Sequence, residues 1–409
     1  MTVVILLLLE ALFALFLLYR DGLIKNAARV AIALVCIGLA MWLRYLVFDV
    51  ETWDYRDFLT RWVTTLRGYG GFKGLKYPIG NYNVPYMYFL AVFSHLGMIR
   101  DLYLIKLLSV FFDIVLAFAA MRLVRMVTDS PDRALACFLT VLFLPTVFLN
   151  GAYWGQCDSI YVSIMLLGIY LALDERPVLS MVCTALSFGF KLQAVFILPV
   201  YAVLWMMGKI KFKHFFIFPL SYVLLVLPAV ILGKPFMDTV LLYFNQADTV
   251  GNALNYNSPS IFAFSRLIKS IADEESAARL GIIAAFLFMF AVLGLCLIRR
   301  RRLNSRSVVS AALLLSAGIP FLLPHMHDRY FFPADALSLV LAFADPMFAA
   351  VALLMQFASL ICYYAYLSGR YLIYPDRGAV AVALVLLLAV YSLCRGLFSG
   401  KQGEEENIS

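Results

Sequence analysis

Apolar blocks of about 15 to 22 residues recur from one end of the chain to the other, and this recurrence restricts the fold more than any other feature. Rising about 1.5 Å per residue, such a block makes a helix long enough for the roughly 30 Å hydrocarbon core of a bilayer. A membrane β-barrel would instead show short segments of alternating polarity, and that pattern is missing. Composition agrees: 64% of the 409 residues are hydrophobic and 14% are charged, more apolar surface than one water-soluble core can bury. The predicted fold is therefore all-α, a single polytopic transmembrane helical bundle over residues 1–409.

Thirteen spans are predicted, at about 2–19, 29–48, 102–124, 133–150, 157–174, 177–189, 193–208, 213–233, 277–298, 307–322, 329–344, 346–367 and 377–395. The first block lacks a basic leader and a small-residue cleavage site, so it reads as a helix and not as a removed signal. Residues 85–98 read as an interfacial helix, being short, opening at Pro85 and holding His95. One helix over 178–208 would be about 46 Å long, too long for the core, so a break is predicted near Lys191.

The net charge of +8 does not point to nucleic acid as a partner, because most basic residues sit in short links between spans. With the N-terminus outside, the links holding Arg20, Lys25 and Arg29, then Arg122, Arg125 and Arg133, then Lys209, Lys211 and Lys213, then Arg299 to Arg302 all fall on the cytoplasmic side, as the positive-inside rule requires. The C-terminal tail with its Glu404-Glu-Glu406 run is then cytoplasmic and solvated. The seven cysteines are scattered through apolar runs without metal-ligand spacing, which predicts neither a disulfide framework nor a metal site.

Two long loops fall on the outer face, 49–101 with short interfacial helices and 234–276, and unusual polar residues gather on that face. The first loop carries Asp54 and Asp57 beside Trp53, Phe58 and Trp62; paired carboxylates there suit a general base or a metal ion, against the plain alternative of an acidic solvated loop. Lys73 and Lys76 follow, as phosphate contacts or simple surface residues, and then Asn81-Tyr82-Asn83-Val84-Pro85, a turn that opens a helix. Between two spans stands Tyr153-Trp154-Gly155-Gln156-Cys157-Asp158. Its aromatics fit an interfacial belt, whereas a carboxylate at the start of a span is a site candidate by default. Lys191 is either a snorkelling lysine or an anchor for a lipid phosphate. His325-Met326-His327-Asp328-Arg329 lacks a third and fourth zinc ligand nearby, and its arginine suits a departing phosphate better. Residues 234–276, with the turn-rich Asn255-Tyr-Asn-Ser-Pro259, form either a lid or a passive link.

Taken together, Trp53-Asp-Tyr-Arg-Asp-Phe58 with Trp62, Asn81-Tyr-Asn-Val-Pro-Tyr86, Trp154-Gly-Gln-Cys-Asp-Ser159, Phe190-Lys-Leu-Gln193 and His325-Met-His-Asp-Arg-Tyr330 resemble the glycosyltransferase C-fold superfamily. Within it, the chain is most similar to bacterial relatives of the second mannosyltransferase of GPI-anchor synthesis, over about residues 45–345. Asn-Val-Pro stands where relatives often have a double proline, and His-Asp-Arg where His-Glu-Arg is usual. The resemblance implies an inverting transferase at the outer leaflet of the cell or inner membrane. Its donor would be a hexose, mannose leading, on a polyprenyl monophosphate. Its acceptor would be a lipid-linked glycan, a cell-wall polymer or a protein.

Under that reading Asp54 is the first choice of base, with Asp57 as alternative or orienting partner. Lys191, Arg329, His325 and His327 hold the donor phosphate, while Trp154, Gln156, Asp158, Tyr82 and Asn83 contact sugar or acceptor. No cofactor is expected, since a monophosphate leaves without needing a metal; a divalent metal is the less favoured alternative. The competing class is a lipid or sugar-lipid flippase. Such proteins place their charges at the midplane of repeated halves, and no internal repeat is visible.

Overall fold

The computed structural model describes residues 2–247 and 254–398, which fold into helices and turns without a strand. The predicted acidic tail beyond residue 398 and residues 248–253 of the second long loop lie outside the described residues.

Among the described residues eight helices are long and apolar enough to cross a membrane: Thr2–Arg20, Ala27–Leu46, Asp101–Val127, Phe212–Ile231, Glu274–Ile298, Ser305–Leu322, Pro346–Ser368 and Pro375–Phe398. The expected thirteen become eight because five of the predicted blocks form helices too short or too bent to count as single spans. Block 133–150 splits into Pro131–Phe143 and Pro145–Trp154, bent by 45°, with Pro145 opening the second piece. Counted as one broken span, this pair raises the number to nine. Three more blocks become Asp158–Leu173, Pro177–Phe190 and Leu192–Met206, and the last becomes Phe332–Ala344 of 13 residues. Helices of about 13 to 16 residues reach roughly 20 to 24 Å, short of a bilayer core. Apolar runs are thus interrupted, by Pro145 at one point and by the extended Lys191 at another, and Asp158–Leu173 packs on Pro177–Phe190.

The predicted break is one of these. Helix Pro177–Phe190 stops at Lys191, whose backbone is extended, with φ −154° and ψ 134°, and a 3₁₀ turn Leu192–Phe196 follows.

The chain divides into two compact units, one of Met1–Arg125, Asp129–Val195 and Phe212–Gly251, the other of Met126–Thr128, Phe196–Lys211 and Asn252–Ser409. In the first unit, helices α1 (Thr2–Arg20), α2 (Ala27–Leu46), α3 (Thr60–Gly68), α4 (Val84–Phe93) and α5 (Asp101–Val127) differ sharply in burial. The apolar window of α5 is 72% buried, against 22% for α1 and 28% for α2, so α5 is the core helix and the other two offer most of their surface to lipid. Helix α1 runs beside α5: Phe13 stacks on Phe111 at 5.2 Å, Arg20 lies over the Phe118 ring, and Asp21 pairs with Arg122 at 2.7 Å. At ten residues α4 is about 15 Å long, too short to cross. It is started by Asn83, whose side chain accepts from the Val84 amide at 2.8 Å, with proline in its first turn.

In the second unit Ser305–Leu322 is the core helix, 83% buried, packed by Glu274–Ile298, Phe332–Ala344 and Pro375–Phe398. Asp345 ties helix ends together by pairing with both Arg306 and Arg395.

Candidate active site

Two π-helical turns mark the site in the first unit: Tyr55–Leu59, directly after Asp54, and Leu149–Trp154. Such turns widen a helix by one residue and recur at functional sites, because they re-aim side chains that a regular helix would space evenly. The second turn ends at Gly155, whose φ of +79° is a left-handed conformation that favours glycine. That reversal sends Gln156 back toward the first loop and starts helix Asp158–Leu173.

Asp54 is buried, 7% exposed, and its Oδ2 accepts from the Trp154 indole N–H at 2.8 Å and from the Gln156 side-chain amide. Gln156 in turn accepts from the Tyr82 hydroxyl at 3.3 Å. Thr52 donates to the Trp154 carbonyl at 3.0 Å, so the first loop and the Trp-Gly-Gln segment are stitched together on both sides of the carboxylate. A carboxylate taken out of water and aimed by two N–H donors is built as a proton acceptor in a fixed orientation.

A second polar pair lies beside it. Asp158 and Lys191, both almost fully buried, form an ion pair. Asp158 also accepts from the Asn150 amide at 2.8 Å. The Lys191 ammonium faces the rings of Tyr82 at 5.7 Å and Tyr161 at 5.9 Å, contacts that offset part of its desolvation. Tyr82 therefore touches both pairs. Asn83 is fully buried and donates to the Tyr222 hydroxyl at 2.9 Å.

One predicted carboxylate stands apart from this group. Asp57 is partly exposed and pairs with Arg61 at 3.1 Å, one helical turn on, so it supports the short helix and is not the partner of Asp54. Trp154, expected to stack on a sugar, is completely buried and has no open ring face; what it does is position Asp54. His325, His327 and Arg329 belong to the second unit. There His325 has the left-handed φ of 61°, uncommon outside glycine. The His327 ring packs edge-on to Tyr330 at 5.2 Å, and its Nδ1 lies 3.2 Å from the Asn255 amide. Asn255 comes from the second long loop, read as a lid or a passive link, which thereby reaches the histidine cluster within that unit. Among the described residues no three His, Cys, Asp or Glu side chains come together as metal ligands.

Four residues carry the site without having been singled out. Helix α5 presents Lys106, Ser109 and Asp113 at i, i+3 and i+7, a spacing that puts them on one face. Lys106 donates to the carbonyls of Val47 and Val50, at 2.9 and 2.7 Å, where the first loop begins. Ser109 donates to the Gln156 carbonyl at 2.7 Å. Asp113 pairs with Arg44 of α2 at 3.0 Å, both fully buried, and accepts from Ser159. Arg44 also donates to the carbonyl of Leu142 at 2.8 Å. A Cβ on Gly151 would lie 3.1 Å from the Asp113 carboxylate, so any larger residue there needs the carboxylate to give way by a few tenths of an ångström. The signal was available: ionisable residues inside apolar spans are rare and face protein interior.

No functionally curated protein matches the chain. Residues 81–324 match the profile of glycosyltransferase family 87, a stretch that takes in Tyr82, Asn83, the Trp154-Gly-Gln-Cys-Asp segment and Lys191 and covers well over half of the 409 residues. With that match, the many apolar helices and the buried carboxylate group belong to one kind of protein, a membrane glycosyltransferase, and the chain belongs to glycosyltransferase family 87.

Proposed function

We propose that this protein is a glycosyltransferase of the C-fold type that moves a hexose, mannose in the leading reading, from a polyprenyl monophosphate to an acceptor hydroxyl. The acceptor is a lipid-linked glycan, a cell-wall polymer or a protein, and the reaction takes place on the extracytoplasmic face. The observation that carries the reading is the buried Asp54 carboxylate held by Trp154 and Gln156. Asp54 takes the proton of the acceptor hydroxyl as that oxygen bonds to the anomeric carbon. The bond from the same carbon to the phosphate oxygen breaks on the opposite side, which inverts the configuration and releases polyprenyl phosphate. Lys191 has three N–H donors and gives one to Asp158, so the donor phosphate joins an existing pair. Arg329 brings a planar, multidentate donor suited to a phosphate, and His325 and His327 lend hydrogen bonds. Asp158, Tyr82 and Asn83 are assigned to sugar and acceptor. Basic links between spans support an N-terminus outside.

The test uses purified protein in detergent with polyprenyl-phosphate mannose or polyprenyl-phosphate glucose, a lipid extract of the host as acceptor source, and release of polyprenyl phosphate as readout. Release that depends on the extract, with one donor preferred, and that falls in Arg329→Ala is the expected result. Repeating it in EDTA reads metal dependence. No release with either donor, together with lipid movement across proteoliposomes, would replace the transferase by a flippase.

The exposed Asp57–Arg61 pair gives a second expectation. Exposed i,i+4 pairs contribute about 0.3–0.5 kcal/mol, so Asp57→Asn should change kcat less than about threefold in the same assay. A loss comparable to that of Asp54→Asn would move the base to Asp57.

A further inference from the structure

The contact between the second long loop and the histidine cluster fixes more than position. His327 Nδ1 lies 3.2 Å from the Asn255 side-chain amide, and the far end of that amide decides which of its atoms faces the ring. Asn255 Oδ1 accepts from the Asn257 backbone N–H at 2.9 Å, and a backbone N–H can only donate. The group turned to His327 is therefore the Asn255 NH2, which also can only donate. His327 Nδ1 is then the acceptor and carries no proton. In a neutral imidazole with a bare Nδ1 the proton sits on Nε2.

Both partners are held. On the loop, the Tyr256 hydroxyl donates to Glu274 at 2.7 Å, and the Asn257 amide donates to the Cys362 carbonyl at 3.4 Å. Ser258 and Ser260, both buried, bond to one another at 2.9 Å. On the other side, the imidazole meets the Tyr330 ring edge-on at 5.2 Å. Other titratable groups stand on the elements that meet here. Asp328 and Arg329 belong to the same turn and Tyr256 to the loop, while the helices packed against the turn bring Arg306, Asp335, Cys362 and the tyrosines of Ala349–Ser368. Their charges bear on how readily the ring takes a second proton; the amide decides where the first one sits.

We propose that Asn255 is a positioning residue that sets the tautomer of His327, so that this imidazole serves the reaction as a hydrogen-bond donor to phosphate from Nε2–H and not as a proton acceptor. The proposal rests on the transferase reading for the phosphate but not for the tautomer, which is measurable without turnover. It leaves uptake of the hydroxyl proton to Asp54.

The experiment is magic-angle-spinning NMR of the full-length protein in lipid, labelled with [15N]histidine, together with the transferase assay over a range of pH. The chain has four histidines, and His327→Gln identifies the signals of this one by their loss. Wild type is expected to show a bare Nδ1, which resonates far downfield of a protonated nitrogen, and a protonated Nε2. Asn255→Asp is the discriminating variant. Its carboxylate accepts the Asn257 N–H as the amide does, so the turn is kept, but it also accepts from Nδ1 and draws the proton there. The Nδ1 signal should move upfield to the protonated position. Relative to wild type, kcat/KM for the polyprenyl-phosphate donor should be near parity at pH about 6, where an imidazolium carries both protons. It should fall at least about tenfold by pH about 9, where Nε2 has lost its proton and the bond to a charged group is gone. A protonated Nδ1 on neutral His327 in wild type would overturn the proposal without recourse to any Asn255 variant. So would an Asn255→Asp protein whose activity follows wild type at every pH, because the reaction would then not use the Nε2 proton. An equal loss at every pH with an unchanged His327 spectrum would make Asn255 structural only. If wild type releases no polyprenyl phosphate while its Nδ1 is bare, the transferase reading falls and the tautomer assignment stands.

Discussion

Asp54→Asn should lower kcat by about 10³-fold, within the range that a positioned general base contributes, while the protein unfolds at nearly the same temperature. The substitution is close to isosteric, and an amide oxygen can accept the Trp154 and Gln156 N–H groups that now converge on Oδ2. The geometry that aims the group is kept and only its capacity to take a proton is lost. KM for the donor should therefore change little, the sign of an interaction made chiefly in the transition state. Because the Trp154 and Gln156 donors to Asp54 come from one segment, Gln156→Leu should act in the same direction with a smaller loss. It removes the Gln156 N–H group and leaves the carboxylate in place. An Asp54→Asn protein that retains more than about a tenth of wild-type kcat would show that the proton goes elsewhere.

Much of this was legible in the sequence, and the reasons are physical. Span length and link charge are strong signals because a bilayer punishes error in either, and they located α1, α2, α5 and the helix break at Lys191. Apolar run length is a weaker signal for helices packed against other helices. Asp158–Leu173 is almost completely buried, so hydrocarbon thickness does not set its length, and a block that reads as a span is shorter than one. The site was half visible. Asp54, Gln156, Asp158 and Lys191 stand out as polar residues at the ends of apolar runs. Their pairing does not, because the one-residue widening at Leu149–Trp154 and the reversal at Gly155 decide which side chains meet. Asp57 has the same sequence credentials as Asp54, and only the helical phase separates a buried residue from one paired with Arg61 on the surface. Lys106 and Asp113 were hidden by the very apolarity that identified their helix.

Those hidden residues give the largest expected effect on folding. Arg44 and Asp113 are both fully buried, and removing one partner of such a pair leaves an unpaired charge at a cost of about 3–5 kcal/mol. Asp113→Ala should therefore show a large loss of thermal stability in detergent. Replacing both, as Arg44→Met/Asp113→Leu, should recover most of it, since a buried ion pair is often no more stable than apolar residues of similar volume. The pair also does something that apolar residues cannot. Asp113 accepts from Ser159, next to Asp158, and Arg44 holds the Leu142 carbonyl, so together they fix both ends of the bent segment that carries Trp154 and Gln156. The double variant should for that reason be stable and still slow, with kcat reduced by about tenfold or more, as misplacement of about 1 Å around a reacting centre can do. A double-mutant cycle separates the two roles. If Asp113→Ala and the double variant are equally stable, the pair does not hold a buried charge. If the double variant is both stable and fully active, the stripe on α5 is scaffolding whose polarity the reaction does not use.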